Sequence, residues 1–220
     1  MAISESWFGD NMEYMAKFPD KFSDLGCVDP DYGLNDLLTI GGTWSAKYKN
    51  NEGMLGGKPD KAYFDELFRI SKNQVIWGGN YFNLPENRCF LIWDKVAQMP
   101  SLTDCEYAWT SFDNNAKIFR HVRNTSEKRI HITQKPIALY RWIFDNFAKK
   151  GDKIIDTNLG SASSRIAAFD LDLDFYSCEF NKDHYQNGNN RFETHRTKCE
   201  ELKEFGYAKT ELSKINPLLF

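Results

Sequence analysis

At 220 residues, 41% hydrophobic and 15% aromatic, the chain can build one well-packed core, and a single domain spanning 1–220 is the default expectation. Its 28 basic and 31 acidic side chains leave a formal net charge of -3, which excludes a global positive field as the means of holding nucleic acid; such contact would need a local basic patch. The five cysteines, Cys27, Cys89, Cys105, Cys178 and Cys199, include no C-x-x-C pair, and no run approaches the roughly 18 apolar residues of a membrane span, so a reduced, cytoplasmic protein without a metal centre or membrane contact is expected.

In chain order, Met12, Met15 and Phe18 recur every third position and predict a short helix over 10–18, ended by Pro19-Asp20. Residues 24–28 read as a buried strand that runs into Asp29-Pro30-Asp31-Tyr32. From 33 to 59 the chain is Gly-rich with few periodic apolar positions, which predicts a long mobile loop acting as a lid or binding segment. A helix is expected from about Lys61, burying Phe64, Leu67 and Phe68, then a strand over 74–77 and the turn Gly78-Gly79-Asn80. The apolar run Cys89-Phe90-Leu91-Ile92-Trp93 has strand length and suits a strand covered on both faces. Two β-like segments, 106–112 and 116–122, flank Asp113-Asn114-Asn115, read as a hairpin-type connection.

Pro136 suits the first turn of a helix that carries Ile137, Tyr140, Ile143, Phe144 and Phe147 on one face and closes at Lys149, Lys150 and Gly151. A βα pattern follows: strand 153–156, a small-residue loop at 159–164, helix 165–169, strand 174–179 and a helix from about 182 to 200, with 201–220 ambiguous. Strands alternating with helices predict an α/β fold with a Rossmann-like, doubly wound, mostly parallel sheet that includes a β-hairpin.

Two stretches carry candidate chemistry. Asp29-Pro30-Asp31-Tyr32 sets a carboxylate, a stiff turn and an aromatic ring at a strand's C-terminal end, where open α/β sheets bind ligands, although Asp-Pro pairs also make ordinary turns. Residues 156–163, Asp156-Thr157-Asn158-Leu159-Gly160-Ser161-Ala162-Ser163, join a strand to a helix through side chains small enough for a ligand to approach the backbone. Glu179 ends the next strand, where a Rossmann-like sheet holds the hydroxyls of a ribose, so the ordered set points to a nucleoside cofactor.

With these motifs the chain resembles the DNA amino-methyltransferases, which methylate the exocyclic nitrogen of adenine or cytosine with S-adenosylmethionine. Asp29-Pro30-Asp31-Tyr32 is similar to the family's D/N/S-P-P-Y/F/W tetrapeptide, residues 156–163 to its D-x-F-x-G-S-G cofactor loop, and His131-Ile132-Thr133-Gln134-Lys135-Pro136 to its H-x-T-Q-K-P segment, in the β-class order. The resemblance implies a class I methyltransferase acting on adenine N6. Asp29 and the Pro30 carbonyl would receive the amine hydrogens while Tyr32 stacks on a flipped base. It further implies that Asp156, Asn158, Gly160, Ser161, Glu179 and Phe180, with Gln134, Lys135 and Pro136, hold S-adenosylmethionine. Double-stranded DNA would be the partner, met by 33–59 and by a basic stretch within 113–130 that includes Lys117, Arg120 and Arg123; a bacterial or phage origin, a homodimer and a partner restriction enzyme all fit. Three positions depart from the pattern: Asp31 replaces the second proline, Asn158 an aromatic and Ala162 a glycine. They leave open a catalytically impaired DNA-binding or partner subunit, a cytosine-N4 enzyme, or a small-molecule or protein methyltransferase. If Asp31 shares a cavity with Asp29, each raises the other's pKa; if the departure from the second proline matters, an Asp31→Pro exchange is expected to raise activity.

Overall fold

A computed structural model describes residues 2–34, 57–96, 103–122, 129–131 and 133–204. In chain order these form β1 (Ser4–Phe8), α1 (Asn11–Met15), β2 (Ser23–Val28), α2 (Lys61–Ile70), β3 (Ser71–Trp77), a 3-10 turn (Gly79–Tyr81), β4 (Phe90–Asp94), β5 (Cys105–Thr110), β6 (Lys117–Arg120), α3 (Ile137–Phe147), β7 (Lys153–Asp156), α4 (Ser163–Asp170), β8 (Asp174–Glu179) and α5 (Lys182–Glu204). The strands make one eight-stranded sheet in the order β1-β8-β7-β2-β3-β5-β4-β6. Only β5 runs antiparallel to its neighbours, β3 and β4.

Period-2 alternation along the central strands sends side chains to both faces. Leu25, Cys27, Val75, Trp77, Ile154 and Phe175 pack beneath α3 and α4, joined by Phe192 of α5. Val28, Ile76, Ile155, Tyr176 and Cys178 pack on the opposite face with Tyr14 and Met15 of α1 and Tyr63, Phe64, Leu67 and Ile70 of α2. Asp10 caps α1 by accepting the backbone N–H groups of Met12 and Glu13, and Asp60 caps α2 at Tyr63.

Three expectations need correction. The segments around Asp113-Asn114-Asn115 do not pair as a hairpin: β5 inserts between β3 and β4, while β6 lies beyond β4 and parallel to it. Ala108 and Trp109 of β5 are buried and need cover on both sides, which an interior position supplies, whereas β6 exposes Ile118 and Arg120 as an edge strand does. The first helix is shorter than 10–18, stopping at Met15. β1 was not anticipated because Ser-Glu-Ser-Trp-Phe offers no apolar run; as an edge strand it needs only β8 beside it. The expected loop over 33–59 lies mainly outside the described residues.

Candidate active site

The strand order turns round between β7 and β2: β7 leads outward to β8, and β2 leads the other way to β3. Ligands of open α/β sheets bind outside the carboxyl ends of the strands at such a reversal. Leu25 lies opposite Ile154 and Gly26 opposite Ile155, so the residues just after β2 and just after β7 emerge side by side at one end of the sheet. Asp29-Pro30-Asp31-Tyr32 and the 156–163 loop are those residues.

Around Asp29 the polar groups are tightly paired. Tyr32 donates its phenol hydrogen to Asp29 Oδ1 at 2.5 Å, and the Lys135 ammonium donates to Oδ2. Lys135, reaching in from the segment ahead of α3, also donates to the Tyr32 oxygen at 3.2 Å and pairs with Glu106 of β5 at 3.1 Å. Burial pushes the Asp29 pKa up, and the Lys135 charge opposes this only in part. Burial also acts to deprotonate Lys135, but its two carboxylates outweigh it and the pKa rises. The Tyr32 ring stacks on Tyr81 with centroids 5.1 Å apart and planes 12° from parallel. Gly78, at φ +68°, permits this: a β-carbon there would stand 2.1 Å from the Tyr32 ring. Asp31 turns elsewhere, accepting the N–H groups of Gly33 at 2.8 Å and Gly57 at 3.0 Å, so it clasps the two ends of the intervening segment.

The second loop is equally organised. Asp156 is buried and accepts from Ser164 Oγ at 2.5 Å and from the Asn158 N–H at 3.0 Å; burial nonetheless lifts its pKa to about 7. Glu179 receives the Gly160 N–H at 2.9 Å on one oxygen and the Asn181 N–H at 3.0 Å on the other. Asn158 Oδ1 accepts from the Tyr63 hydroxyl at 3.0 Å, and that hydroxyl also meets Thr157 Oγ1 at 2.6 Å, tying α2 to the loop. Ala162 adopts φ +60°, the left-handed conformation that glycine adopts without cost, and Gly188 of α5 gives room to the Gly160 carbonyl of the same loop, from which a β-carbon at Gly188 would lie only 2.7 Å. The buried His131 ring lies 3.7 Å from where a Gly160 β-carbon would stand and meets His184 edge-on at 4.2 Å. Burial, with His184, Lys135 and Arg129 nearby, drops the His131 pKa to about 3, so the ring is neutral. Gln134 accepts the Ile130 N–H at 3.0 Å, Pro136 begins α3, Ser161 meets Ser163 at 3.1 Å, and Phe180 is 40% exposed beside Glu179.

Sequence reasoning thus brought Asp29, Tyr32, Asp156, Gly160 and Glu179 to one sheet end. It assigned Lys135 to the cofactor half, where the fold instead directs its side chain to Asp29. It missed Glu106, Lys95, Tyr63 and Tyr81. The glycine pair before Tyr81 was a usable signal, since two glycines after a strand mark a close approach; Glu106 sits inside an ordinary strand pattern and offered none. Of the expected DNA contacts, Lys117 and Arg120 lie on β6, Arg120 bonding Asp94 at 3.2 Å, and Arg123 lies outside the described residues. One group among the described residues has metal-ligand chemistry, Asp170, His195 and Cys199 at the far end of α4 and α5. There Asp170 is already committed to Arg141 and to His195 Nε2 at 2.8 Å, which makes it a tie between helices.

Compared with known proteins, residues 40–190 match the sequence model of the N6/N4 methyltransferase family, described as DNA methylase. No curated protein sequence matches the chain. Among solved structures, the M1.HpyAVI–SAM complex is 19% identical with a TM-score of 0.56, covering 84% of this chain and 97% of that one. TTHA0409 of Thermus thermophilus, complexed with S-adenosyl-L-methionine, is 18% identical with a TM-score of 0.54 over 86% of this chain and 93% of that one. The PvuII DNA methyltransferase, cytosine-N4-specific, is 12% identical with a TM-score of 0.57 over 86% of each chain. At these identities the likeness is one of fold.

Proposed function

Because the chain belongs to the N6/N4 DNA methylase family, we propose that it transfers a methyl group from S-adenosylmethionine to the exocyclic N6 of an adenine turned out of duplex DNA. The observation that carries this reading is the pairing of β2 with β7, which sets the carboxylate, turn and ring of one motif beside the small-residue loop of the other.

The residues present suit the cofactor. The Glu179 carboxylate accepts the N–H groups of Gly160 and Asn181 on its two oxygens, with the Phe180 N–H also bonding it, and its remaining lone-pair capacity can receive a ribose hydroxyl. A β-carbon built at Gly160 would stand in ordinary van der Waals contact with the His131 ring, at 3.7 Å, so the backbone there has room for a close contact of that size and the ring bounds it. Glu179, Phe180, Gly160 and Ser161 would hold the nucleoside and amino-acid parts, with Asp156 and Asn158 shaping the loop and Gln134 and Pro136 bounding it. When bound, S-adenosylmethionine supplies an electrophilic methyl group.

An exocyclic amine has its lone pair delocalised into the base, so it needs positioned acceptors more than a strong general base. Asp29 retains lone pairs beyond those used by Tyr32 and Lys135, and the Pro30 carbonyl follows it in the chain; together they would orient both amine hydrogens. The Tyr32 face, backed by Tyr81, would take the base and offset part of the cost of unstacking it. Methylation leaves the nitrogen cationic with one hydrogen too many, and Asp29, whose proton affinity burial has raised, is placed to remove it. Adenine rather than cytosine rests on a carboxylate in first place in the tetrapeptide. We assign phosphate contacts to Lys117 and Arg120 on the edge strand β6, and to Arg123, which follows them in the sequence.

Calorimetric titration with S-adenosylmethionine tests the cofactor half. Saturable binding is expected in wild type and weakened binding in Glu179→Ala; a flat titration at millimolar cofactor would contradict the reading.

A further inference from the structure

We propose that Glu106 is a positioning residue for the reaction: it grips the Lys135 ammonium and thereby fixes where the Asp29 carboxylate sits. The proposal rests on the methyltransferase reading of the same site.

An ammonium has three hydrogens, and three oxygens surround Lys135 Nζ: Asp29 Oδ2, Glu106 Oε2 at 3.1 Å and the Tyr32 hydroxyl at 3.2 Å. The side chain is 2% exposed and passes over the Trp77 ring, 5.1 Å from its centroid, so water has little access to replace a lost partner. Glu106 is itself fixed from behind. Its Oε1 pairs with Lys95 at 2.7 Å, and Lys95 donates to Thr103 Oγ1 at 3.0 Å. The four charges alternate in sign from Asp29 to Lys95 and cancel.

The fold explains how a residue so distant in sequence arrives here. β5 runs against β3, with Ala108 opposite Trp77, so β5 begins at the sheet end where β3 finishes. Glu106 and Ala108 lie two residues apart and point to the same face, the one on which Trp77 and Lys135 lie. Burial alone would raise the Glu106 pKa, yet Lys135 and Lys95 bring it down to about 2, so it stays a carboxylate throughout the working range. Its negative charge in turn supports the proton affinity of Asp29. Among the described residues, the other titratable groups coupled to Asp29 are Tyr32, Cys27, Tyr63, Tyr140 and Asp156, from β2 and its following turn, α2, α3 and β7.

The test compares wild type, Glu106→Gln and Glu106→Asp in steady-state methylation of an adenine-containing duplex between pH 5 and 9. Calorimetry with S-adenosylmethionine and carbon-13 titration of the Asp29 carboxyl accompany the kinetics. Glu106→Gln is expected to lower kcat at least about tenfold with cofactor affinity kept within about twofold. Removing its charge is expected to move the acid limb of kcat/KM, and the Asp29 titration with it, to lower pH; Glu106→Asp restores part of both. A folded Glu106→Gln variant with wild-type kcat and an unmoved profile would overturn the proposal. Should that variant not fold, Glu106→Gln combined with Lys95→Met removes one charge of each sign. The double variant is expected to fold and keep the loss, and full activity in it would overturn the proposal equally. If wild type methylates nothing, the enzyme reading fails; the Asp29 titration still decides, since an unchanged value in Glu106→Gln overturns the grip of Glu106 on the pair by itself.

Discussion

Asp31 shows how one side chain can depart from a family pattern and be explained by its contacts. A proline at that position would stiffen the turn but offer no side-chain acceptor, whereas the Asp31 carboxylate collects the N–H groups of Gly33 and Gly57 and so ties these two positions together. The two carboxylates hold different partners: Asp29 accepts from Lys135 and Tyr32, and Asp31 from the backbone of Gly33 and Gly57. Asp31→Pro is therefore expected to lose about 1 kcal/mol of stability, the net worth of the hydrogen bonds removed, and not to gain activity. Urea denaturation and initial rates check this, and faster turnover would show that the clasp restrains the enzyme. At this scale the sequence was legible wherever a residue stands at a strand end: Asp29, Tyr32, Asp156 and Glu179 needed only the end of an apolar run to be placed. Lys135 and Glu106 were harder, because the partners that define their roles lie on other elements.

The loop and two helices around Gly160 form the element that departs most from its family. Ala162 sits at φ +60° before α4, and the missing side chain of Gly188 on α5 makes room for the loop it belongs to. The methyl group is accommodated, and its cost is conformational. Ala162→Gly is expected to shift stability by less than about 1 kcal/mol as read from thermal unfolding, because relief of the left-handed penalty is offset by the extra freedom of glycine when unfolded and by the loss of a buried methyl group. Further along the same helices, His195 of α5 meets Asp170 of α4. Burial would lower the His195 pKa, but the hydrogen bond and charge of Asp170, with Cys199 beside it, raise it to about 9 from 6.5. A raised histidine contributes stability that is complete below about pH 6.5 and is lost as pH rises through about 9. By unfolding midpoints, the stability advantage of wild type over His195→Gln, which keeps the Asp170–Arg141 pair, is expected to be larger at pH 6 than at about pH 10; a gap that does not change with pH would contradict the linkage. Elements with apolar faces were readable, β7 and β8 to the residue and α3 in its buried face, though it starts after Pro136 and stops at Phe147. β1 and the placement of β5 were not, because an edge strand needs little apolar surface and an interior position is decided by neighbours elsewhere in the chain.

At the scale of the whole sheet, its parallel half brings two motifs, far apart in sequence, to adjacent strand ends, and the antiparallel strand β5 carries Glu106 to the same place. The doubly wound fold was legible because strands and helices alternate after Pro136, while the route of the chain between β3 and β6 was not, since a hairpin-like turn signal does not specify which strands pair across it. In this arrangement the methyl acceptor is expected at the Asp29 and Tyr32 end and the methyl donor at the Gly160 loop. The most direct measurement incubates the protein with methyl-labelled S-adenosylmethionine and a mixed-sequence DNA duplex, then digests the DNA to nucleosides and separates them. The account predicts label in N6-methyladenine, abolished in Asp29→Ala while cofactor binding persists. Label in N4-methylcytosine would contradict the choice of adenine, and no label with cofactor bound would contradict the claim that the two motifs form a working active site.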